Sequence, residues 1–144
     1  MTTVNPYLVF KGNCEEAFNF YKSAFGGDFR FIGRYKELPP SDRALFPPDV
    51  DEKIMHVTLP ISAETLLMGC DNVDEAAPNI IPTPPFSLSI TTDTKEEADR
   101  LFLALSVDGE IKMPMDKTFW GSYFGTFEDK FGINWMISFE LPIE

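Results

Sequence analysis

The sequence predicts an α+β fold built from two βαβββ modules, and two observations carry this prediction. The same order of predicted elements, one strand, one helix and three further strands, occurs twice along the 144 residues. A capping-box pattern at Asn13 and Glu16 also recurs 81 residues later at Thr94 and Glu97, at the start of each predicted helix. Two such modules predict one curved, mixed sheet of eight strands.

The first module is predicted over residues 4–71. An apolar run at residues 4–10 predicts a buried strand, and a helix follows in which apolar residues recur at helical spacing until Gly26 and Gly27 end it. Phe29 and Phe31 begin a second strand. A proline-rich acidic segment at residues 37–52 is predicted to be a surface loop. Alternating polarity then predicts strands at residues 53–61 and 65–70.

The second module is predicted over residues 86–140, after a proline-rich linker at residues 72–85. It begins with an alternating strand, continues with the helix that starts at Thr94, and closes that helix at Gly109. One more strand and an aromatic hairpin at residues 118–139 complete the module. Both modules are predicted to belong to one domain, residues 1–144.

Composition excludes several classes of partner. The formal net charge is −11 and the sequence pI is about 4.4, so a nucleic-acid backbone or an anionic membrane surface would be repelled. Neither a signal peptide nor an apolar run long enough to span a membrane is apparent, which predicts a cytoplasmic protein. Cys14 and Cys70 have no metal-binding or redox spacing, and Cys14 is predicted to be a buried thiol on the helix.

Several segments together resemble the vicinal oxygen chelate superfamily of glyoxalase, bleomycin resistance and dioxygenase proteins, and in particular its PhnB-like branch. The matching segments are residues 6–12, 16–27, 54–57, 119–121 and 129–135. The resemblance implies that the paired modules form a curved sheet with the helices on its convex side. It also implies a small-molecule cavity on the concave side and a homodimer.

The resemblance also implies a divalent metal held by side chains of several strands, and the sequence departs from that pattern. The ligand positions would fall near residues 6–8, near Met68, near residues 86–88 and near Met136. None of these is His, Asp, Glu, Gln or Cys, and a thioether is a poor ligand for a hard divalent ion. No catalytic metal and no cofactor are therefore predicted.

The PhnB-like branch is often described as a methyltransferase. The sequence has no glycine-rich loop after a strand followed by an acidic residue, as a nucleotide-type cofactor fold would need. Methyl transfer is therefore not predicted.

Candidate ligand-binding residues come from the alternation of the predicted strands. His56 alternates with the residues expected to pack under the helices, so it is predicted to point into the cavity as an acid, a base or a hydrogen-bonding anchor. The competing interpretation is a strand histidine bonded to a neighbour or lying at a dimer contact. The other candidates are Trp120 and Tyr123, as an aromatic wall or as packing residues, and Asn134 and Met136, on the cavity side of the last strand.

Three functions remain open at this point. The leading hypothesis is a homodimeric, metal-independent protein that binds a small molecule. The alternative is an enzyme of the same superfamily, a lyase, isomerase or dioxygenase that uses either unusual metal ligands or His56. The third is an interaction module whose cavity is filled by its own side chains.

Overall fold

The structure is a computed structural model that describes residues 3–72, 87–118 and 121–141. The predicted linker, apart from residue 72, and the candidate Trp120 lie outside the described residues. The chain divides into two compact units, residues 1–79 and residues 80–144. Each unit contains the predicted order of one strand, one long helix and three strands.

The described part of the first unit contains four strands and two α-helices: β1 Tyr7–Phe10, α1 Cys14–Phe25, β2 Phe31–Arg34, α2 Pro40–Arg43, β3 Ile54–Pro60 and β4 Leu66–Asp71. Its sheet has the order β1-β4-β3-β2, with β1 parallel to β4 and the other neighbours antiparallel. The predicted surface loop is not featureless, because it contains α2 and two 3-10 turns, Tyr35–Glu37 and Pro48–Val50.

The elements described in the second unit are β5 Leu88–Thr91, α3 Lys95–Ser106, β6 Glu110–Lys117, β7 Ser122–Glu128 and β8 Asn134–Glu140. They repeat this arrangement with the sheet order β5-β8-β7-β6, in which β5 is parallel to β8. The α+β class and the two βαβββ modules are thus confirmed, and the eight strands of the described residues form two four-stranded mixed sheets. No helix among the described residues is long and apolar enough to cross a bilayer.

Each unit has its own core between one helix and one face of its sheet. The predicted apolar stripe of α1 is buried and packs against β3 and β4, where Val57 and Leu59 are fully buried. In the second unit, α3 likewise buries one apolar side, which includes Leu101 and Leu105, and Ile137 of β8 is fully buried. The helical and two-residue periodicities of the sequence therefore identified the core-facing side of these elements.

The prediction that the side chain of Asn13 caps α1 is wrong. Asn13 makes no side-chain cap hydrogen bond, and its backbone, at φ −114° and ψ 23°, is not the extended conformation of a capping residue. The buried carboxylate of Asp71 takes this place: Oδ1 accepts from the backbone N–H groups of Gly12 and Cys14, each at 2.9 Å. Its Oδ2 accepts from Ile54 N at 2.9 Å. One aspartate thus joins α1, β3 and β4.

The predicted cap of α3 is confirmed in its first half. Thr94 has an extended backbone and its Oγ1 accepts from Glu97 N at 3.1 Å. The carboxylate of Glu97 accepts from Nε of Arg100 at 3.1 Å, and this pairing holds the pKa of Glu97 below its usual value. Thr94 therefore stabilises the helix start as the spacing predicts.

The two glycine signals for helix ends have different explanations. Gly26 ends α1 as predicted, because it adopts φ 85° and donates its N–H to Lys22 O at 2.8 Å. After α3 the left-handed residue is Asp108, at φ 60°, and not Gly109. A Cβ at Gly109 would lie 2.2 Å from Glu128 O, so close approach of two chain segments requires this glycine.

The turn of the C-terminal hairpin is organised by a second buried aspartate. Asp129 Oδ1 accepts from Phe131 N at 2.8 Å and from Ile133 N at 3.1 Å. Its Oδ2 accepts from Nε1 of Trp135 at 2.8 Å, and Gly132 supplies the positive φ of the turn. The predicted hairpin is confirmed, and its acidic-glycine turn is a hydrogen-bonded unit.

Candidate functional site

The candidate site lies on the face of the first sheet that points away from the core. Residues directly opposite each other in neighbouring strands share a face, and the register aligns Tyr7 with Met68, Met68 with Thr58, and Thr58 with Phe31. His56 follows Thr58 by two residues and belongs to the same side. We call this surface the His56 face; it comprises Tyr7, Val9, Phe31, Gly33, His56, Thr58, Met68 and Cys70.

His56 is fixed by hydrogen bonds at both ring nitrogens. Its Nδ1 lies 3.2 Å from the hydroxyl of Tyr7, and its Nε2 lies 2.9 Å from Oγ1 of Thr58. Each hydroxyl can donate or accept, so either neutral tautomer of the imidazole is satisfied by these two partners. Acid–base catalysis or metal ligation requires a ring nitrogen that is directed at a group outside the protein. Neither nitrogen of His56 is directed in this way.

Two aromatic rings flank the imidazole. The Tyr7 ring centre lies 5.6 Å from that of His56 with an interplanar angle of 35°, and the Phe31 ring centre lies 5.9 Å away at 43°. Phe31 can lean towards His56 because Gly33 has no side chain: a Cβ there would be 2.8 Å from Cζ of Phe31. The three rings thus form one continuous aromatic surface.

This surface is accessible and uncharged. Tyr7, Val9 and Phe31 are exposed by 45%, 43% and 48%, whereas Thr58 beneath them is buried. The His56 face, as defined above, carries no Asp, Glu, Lys or Arg. Exposed aromatic side chains grouped on one face are typical of a surface that binds another molecule.

Burial raises the pKa of two groups on the His56 face. It raises the pKa of the Tyr7 hydroxyl far above its ordinary value, with a further contribution from a hydrogen bond to Cys70. Burial also raises the pKa of the Cys70 thiol, although the hydrogen bond from Tyr7 acts in the opposite direction. Both groups therefore stay protonated at neutral pH, and Tyr7 acts as a hydrogen-bond donor and not as a base.

The second unit contains three of the other candidates, on two different faces of its sheet. The partners of Asn134 and Met136 in β7 are Glu128 and Thr126, and these four residues lie on the side away from the core. Trp135, between them, is buried. The predicted alternation of this strand is therefore confirmed.

Tyr123 lies on the helix side of the second sheet. It precedes Gly125 by two residues, and a Cβ at Gly125 would meet the ring of Phe102 in α3 at 2.9 Å. The hydroxyl of Tyr123 donates to Asp99 Oδ1 at 2.6 Å. This bond, followed by burial and the charge of Asp99, raises the pKa of Tyr123 to about 12. Tyr123 thus does not share a face with Asn134 and Met136, and its contacts are those of a packing residue.

The structure adds residues that the sequence interpretation did not single out. Tyr7 and Phe31 flank His56 and were missed, although Thr58 was placed beside it by alternation. Tyr7 lies in a strand whose four residues are all apolar or aromatic, so no alternation marks its face. The alignment of Phe31 with Thr58 is a property of strand register, which the alternation within one strand does not encode.

Two of the donor groups on the His56 face are poor ligands for a divalent metal. Tyr7 and Met68, which lie near two of the implied ligand positions, are direct neighbours in the sheet and offer a protonated phenol and a thioether. Within residues 3–72, 87–118 and 121–141, no three or more His, Cys, Asp or Glu side chains come together as a metal site would require.

Comparison with known proteins places the chain among relatives of similar length. The family described as 3-demethylubiquinone-9 3-methyltransferase matches residues 2–138. Protein YjdN of Escherichia coli K12 is 31% identical over 141 residues, which cover 94% of this chain and 93% of YjdN. The crystal structure of protein PA1353 from Pseudomonas aeruginosa is 37% identical, with a TM-score of 0.85, and the match covers 99% of this chain and 100% of PA1353.

A third relative carries the family's name. The structure of a putative 3-demethylubiquinone-9 3-methyltransferase, PhnB protein, from Bacillus cereus is 31% identical with a TM-score of 0.76, covering 96% of this chain and 99% of that one. Glyoxalase/bleomycin resistance/dioxygenase structures from Frankia, Burkholderia and Alicyclobacillus are 11–16% identical with TM-scores of 0.54–0.67. These distant structures share the fold.

Proposed function

Because the chain belongs to the 3-demethylubiquinone-9 3-methyltransferase family, a PhnB-like branch of the glyoxalase/bleomycin resistance/dioxygenase superfamily, we propose that it binds a small molecule on the His56 face without a catalytic metal. The family's description names a methyl transfer. The proposal does not include that reaction, since the sequence lacks the glycine-rich loop that a nucleotide-type cofactor fold would need.

The observation that carries the proposal is the environment of His56. A catalytic histidine needs a ring nitrogen within reach of the substrate, whereas both nitrogens of His56 are bonded to Tyr7 and Thr58. The same two bonds hold the ring in one orientation beside the exposed rings of Tyr7 and Phe31. A rigid aromatic surface with satisfied polar groups favours binding over acid–base chemistry.

The alternative of a lyase, isomerase or dioxygenase would need a different set of groups. A metal-dependent version needs hard ligands, which Tyr7 and Met68 do not provide. A metal-free version needs His56 to exchange one of its two internal bonds for a bond to the substrate.

Homodimer formation and a cytoplasmic location stay predictions, and light scattering of a chain of 16.3 kDa would test the first of them.

A thermal-shift and NMR screen of small fragments tests the proposal. A fragment present at 100 times its Kd stabilises the folded protein by about 2.7 kcal/mol, which corresponds to a rise in Tm of about 5–10 °C. We expect Phe31→Ala to abolish the shift for fragments that bind the His56 face. Leu103→Ala is the matched control, because Leu103 is 68% exposed on α3 of the other unit.

Two results would contradict the proposal. One is fragment binding that is unchanged in Phe31→Ala, which would place the ligand elsewhere. The other is a stoichiometric divalent metal in the purified protein that is lost in His56→Ala, since this would restore the metal-dependent alternative. Mass spectrometry of the recovered fragment should show it chemically unchanged.

A further inference from the structure

We propose that the His56 face binds a small organic cation, an ammonium group attached to an apolar group, with the ammonium held between Phe31 and Glu37. This inference rests on the proposed function and specifies the chemical class of its ligand. Three observations carry it: a carboxylate borders the aromatic rings, that carboxylate has no ion-pair partner among the described residues, and the charged groups near it leave a negative excess.

The carboxylate of Glu37 lies at the edge of the His56 face, beside the ring of Phe31. Gly33 allows the two groups to meet: the point where its Cβ would stand is 2.8 Å from Cζ of Phe31 and 3.3 Å from Oε2 of Glu37. Gly33 is opposite His56 in the strand pairing, so this point is on the same face as the imidazole. The aromatic surface therefore ends at a negative charge.

Glu37 is held in place by the backbone and keeps one oxygen available. Its Oε2 accepts a hydrogen bond from the backbone N–H of Arg34 at 3.0 Å, which fixes the carboxylate at the end of β2. Within residues 3–72, 87–118 and 121–141, no donor contacts Oε1 and the carboxylate forms no ion pair. The residue is exposed, so Glu37 presents an oriented, charged acceptor to a ligand.

The charged groups near Glu37 leave a negative excess. Arg34 is bonded to Glu15 through both terminal nitrogens, and Lys36 pairs with Glu52 at 2.7 Å. In this part of the described chain, two cations therefore accompany three carboxylates. Glu15 is the main cause of the raised pKa of Arg34, and Glu37 adds the smallest contribution, so Arg34 screens only part of the charge of Glu37. A second cation would gain from the charge that remains.

The ring of Phe31 adds a second attraction for a positive charge. An aromatic ring is negative on its faces and positive at its edge. The edge atoms Cζ and Cε1 of Phe31 lie over Gly33, on the side of Glu37, and 48% of Phe31 is exposed. An ammonium group over the exposed part of the ring therefore interacts with both the ring and the carboxylate.

The rest of the His56 face suits the apolar part of such a ligand. Tyr7 and Val9, which are 45% and 43% exposed, offer aromatic and aliphatic area without a charge of their own. The net charge of −11 also favours the approach of a cation and opposes that of an anion. An apolar amine therefore matches the face better than an acid or an uncharged molecule of the same size.

Three probes that each join a phenyl ring to a short chain test the inference. They are 2-phenylethylammonium, neutral 2-phenylethanol and the anion 3-phenylpropanoate. Each is titrated into the full chain at pH 8, at low and at high salt, while the NMR signals of Phe31, Gly33 and Glu37 are followed. At low salt we expect 2-phenylethylammonium to bind about 3- to 30-fold more tightly than 2-phenylethanol, and 3-phenylpropanoate to bind most weakly. The preference for the cation should shrink at high salt.

The variant Glu37→Gln separates charge from structure. Glutamine keeps an oxygen that accepts from the N–H of Arg34 but carries no charge. We therefore expect it to weaken 2-phenylethylammonium by about 2- to 5-fold and to leave 2-phenylethanol unchanged. Glu64→Gln is the matched control, because it removes the same charge from an exposed turn at the other end of β3. Phe31→Leu should weaken the ammonium probe by about 2- to 5-fold through the lost cation–π contact.

The outcomes separate the two proposals. Equal affinities for the ammonium and the alcohol, or equal effects of Glu37→Gln and Glu64→Gln, would overturn the cation class while leaving small-molecule binding on this face intact. An ammonium probe that shifts none of the signals of Phe31, Gly33 and Glu37 would also overturn the cation class. Fragments and probes that all bind surfaces other than the His56 face would overturn the proposed function itself.

Discussion

Replacement of Asp71 by Asn is the perturbation whose effect the structure defines most closely. The side chain is 1% exposed, and its two oxygens accept three backbone N–H bonds, from Gly12, Cys14 and Ile54, each at 2.9 Å. Asn has nearly the same shape but only one acceptor oxygen. With that oxygen placed as Oδ1, the amide group would face the N–H of Ile54, donor against donor.

The expected cost follows from these contacts. A buried N–H left without an acceptor costs about 1–3 kcal/mol. The two bonds that remain, to Gly12 and Cys14, change from a charged to a neutral acceptor and lose about 1 kcal/mol each. We therefore expect Asp71→Asn to lower the free energy of unfolding by about 3–5 kcal/mol, which is a large part of the stability of a typical domain.

Urea unfolding measures this change, with the slope of the transition used to check that the unfolded state is unaltered. Asp28→Asn is the matched control: the Asp28 side chain is 91% exposed, its ion pair with Lys22 spans 3.1 Å, and its loss should cost less than about 1 kcal/mol. If Asp71→Asn costs no more than this control, Asp71 is not the residue that joins α1, β3 and β4. The amide signals of Gly12, Cys14 and Ile54 should be the most strongly shifted.

Three further predictions concern a tyrosine, a glycine and a cysteine. Asp99→Ala should lower the pKa of Tyr123 from about 12 towards 10. The titration of this one tyrosine is obtained by subtracting the alkaline absorbance titration of a protein that carries Tyr123→Phe from that of the same protein with Tyr123 intact. Since folding raises this pKa, the associated stability is complete below pH 10 and is lost as the pH rises towards 12. Gly109→Ala should destabilise the second unit by about 2–4 kcal/mol in urea, because the new Cβ would lie 2.2 Å from Glu128 O. Cys14, fully buried, should resist iodoacetamide at pH 8 until the protein unfolds, because burial raises its pKa.

Each of these predictions has an internal control. Gly27→Ala meets no atom within 4 Å and should cost only about 1 kcal/mol for its positive φ, so an equal cost at both glycines would contradict the steric argument. Cys70 is less buried than Cys14 and should be alkylated first; the reverse order would be inconsistent with the packing of α1. An unchanged difference titration in Asp99→Ala would mean that the hydrogen bond to Tyr123 does not form.

The sequence predicted the face that a candidate residue occupies where a single strand carries the information. The alternation of β3 placed His56 beside Thr58, and the alternation of β8 separated Asn134 from buried Trp135. Alternation assigned no face to Tyr123, whose aromatic character suits a cavity wall and a packed core equally well. The structure places that residue against α3 through Asp99.

The sequence by itself determined the fold class, the repeated modules, the helix stripe of α1 and the hairpin turn at Gly132. These features depend on periodicities of 3.6 and 2 residues and on local turn chemistry, which neighbouring residues encode. It also determined that the implied metal positions lack metal-binding side chains, since that is a matter of residue identity.

Tertiary structure alone decided which distant residues meet. Asp71 caps a helix that begins 57 residues earlier, and Gly109 is required by the carbonyl of Glu128. Tyr7 and Phe31, from the two edge strands of the first sheet, come to flank His56 only because strand order and register align them. Such contacts arise from the pairing of strands far apart along the chain, and the local pattern of each strand is compatible with more than one pairing.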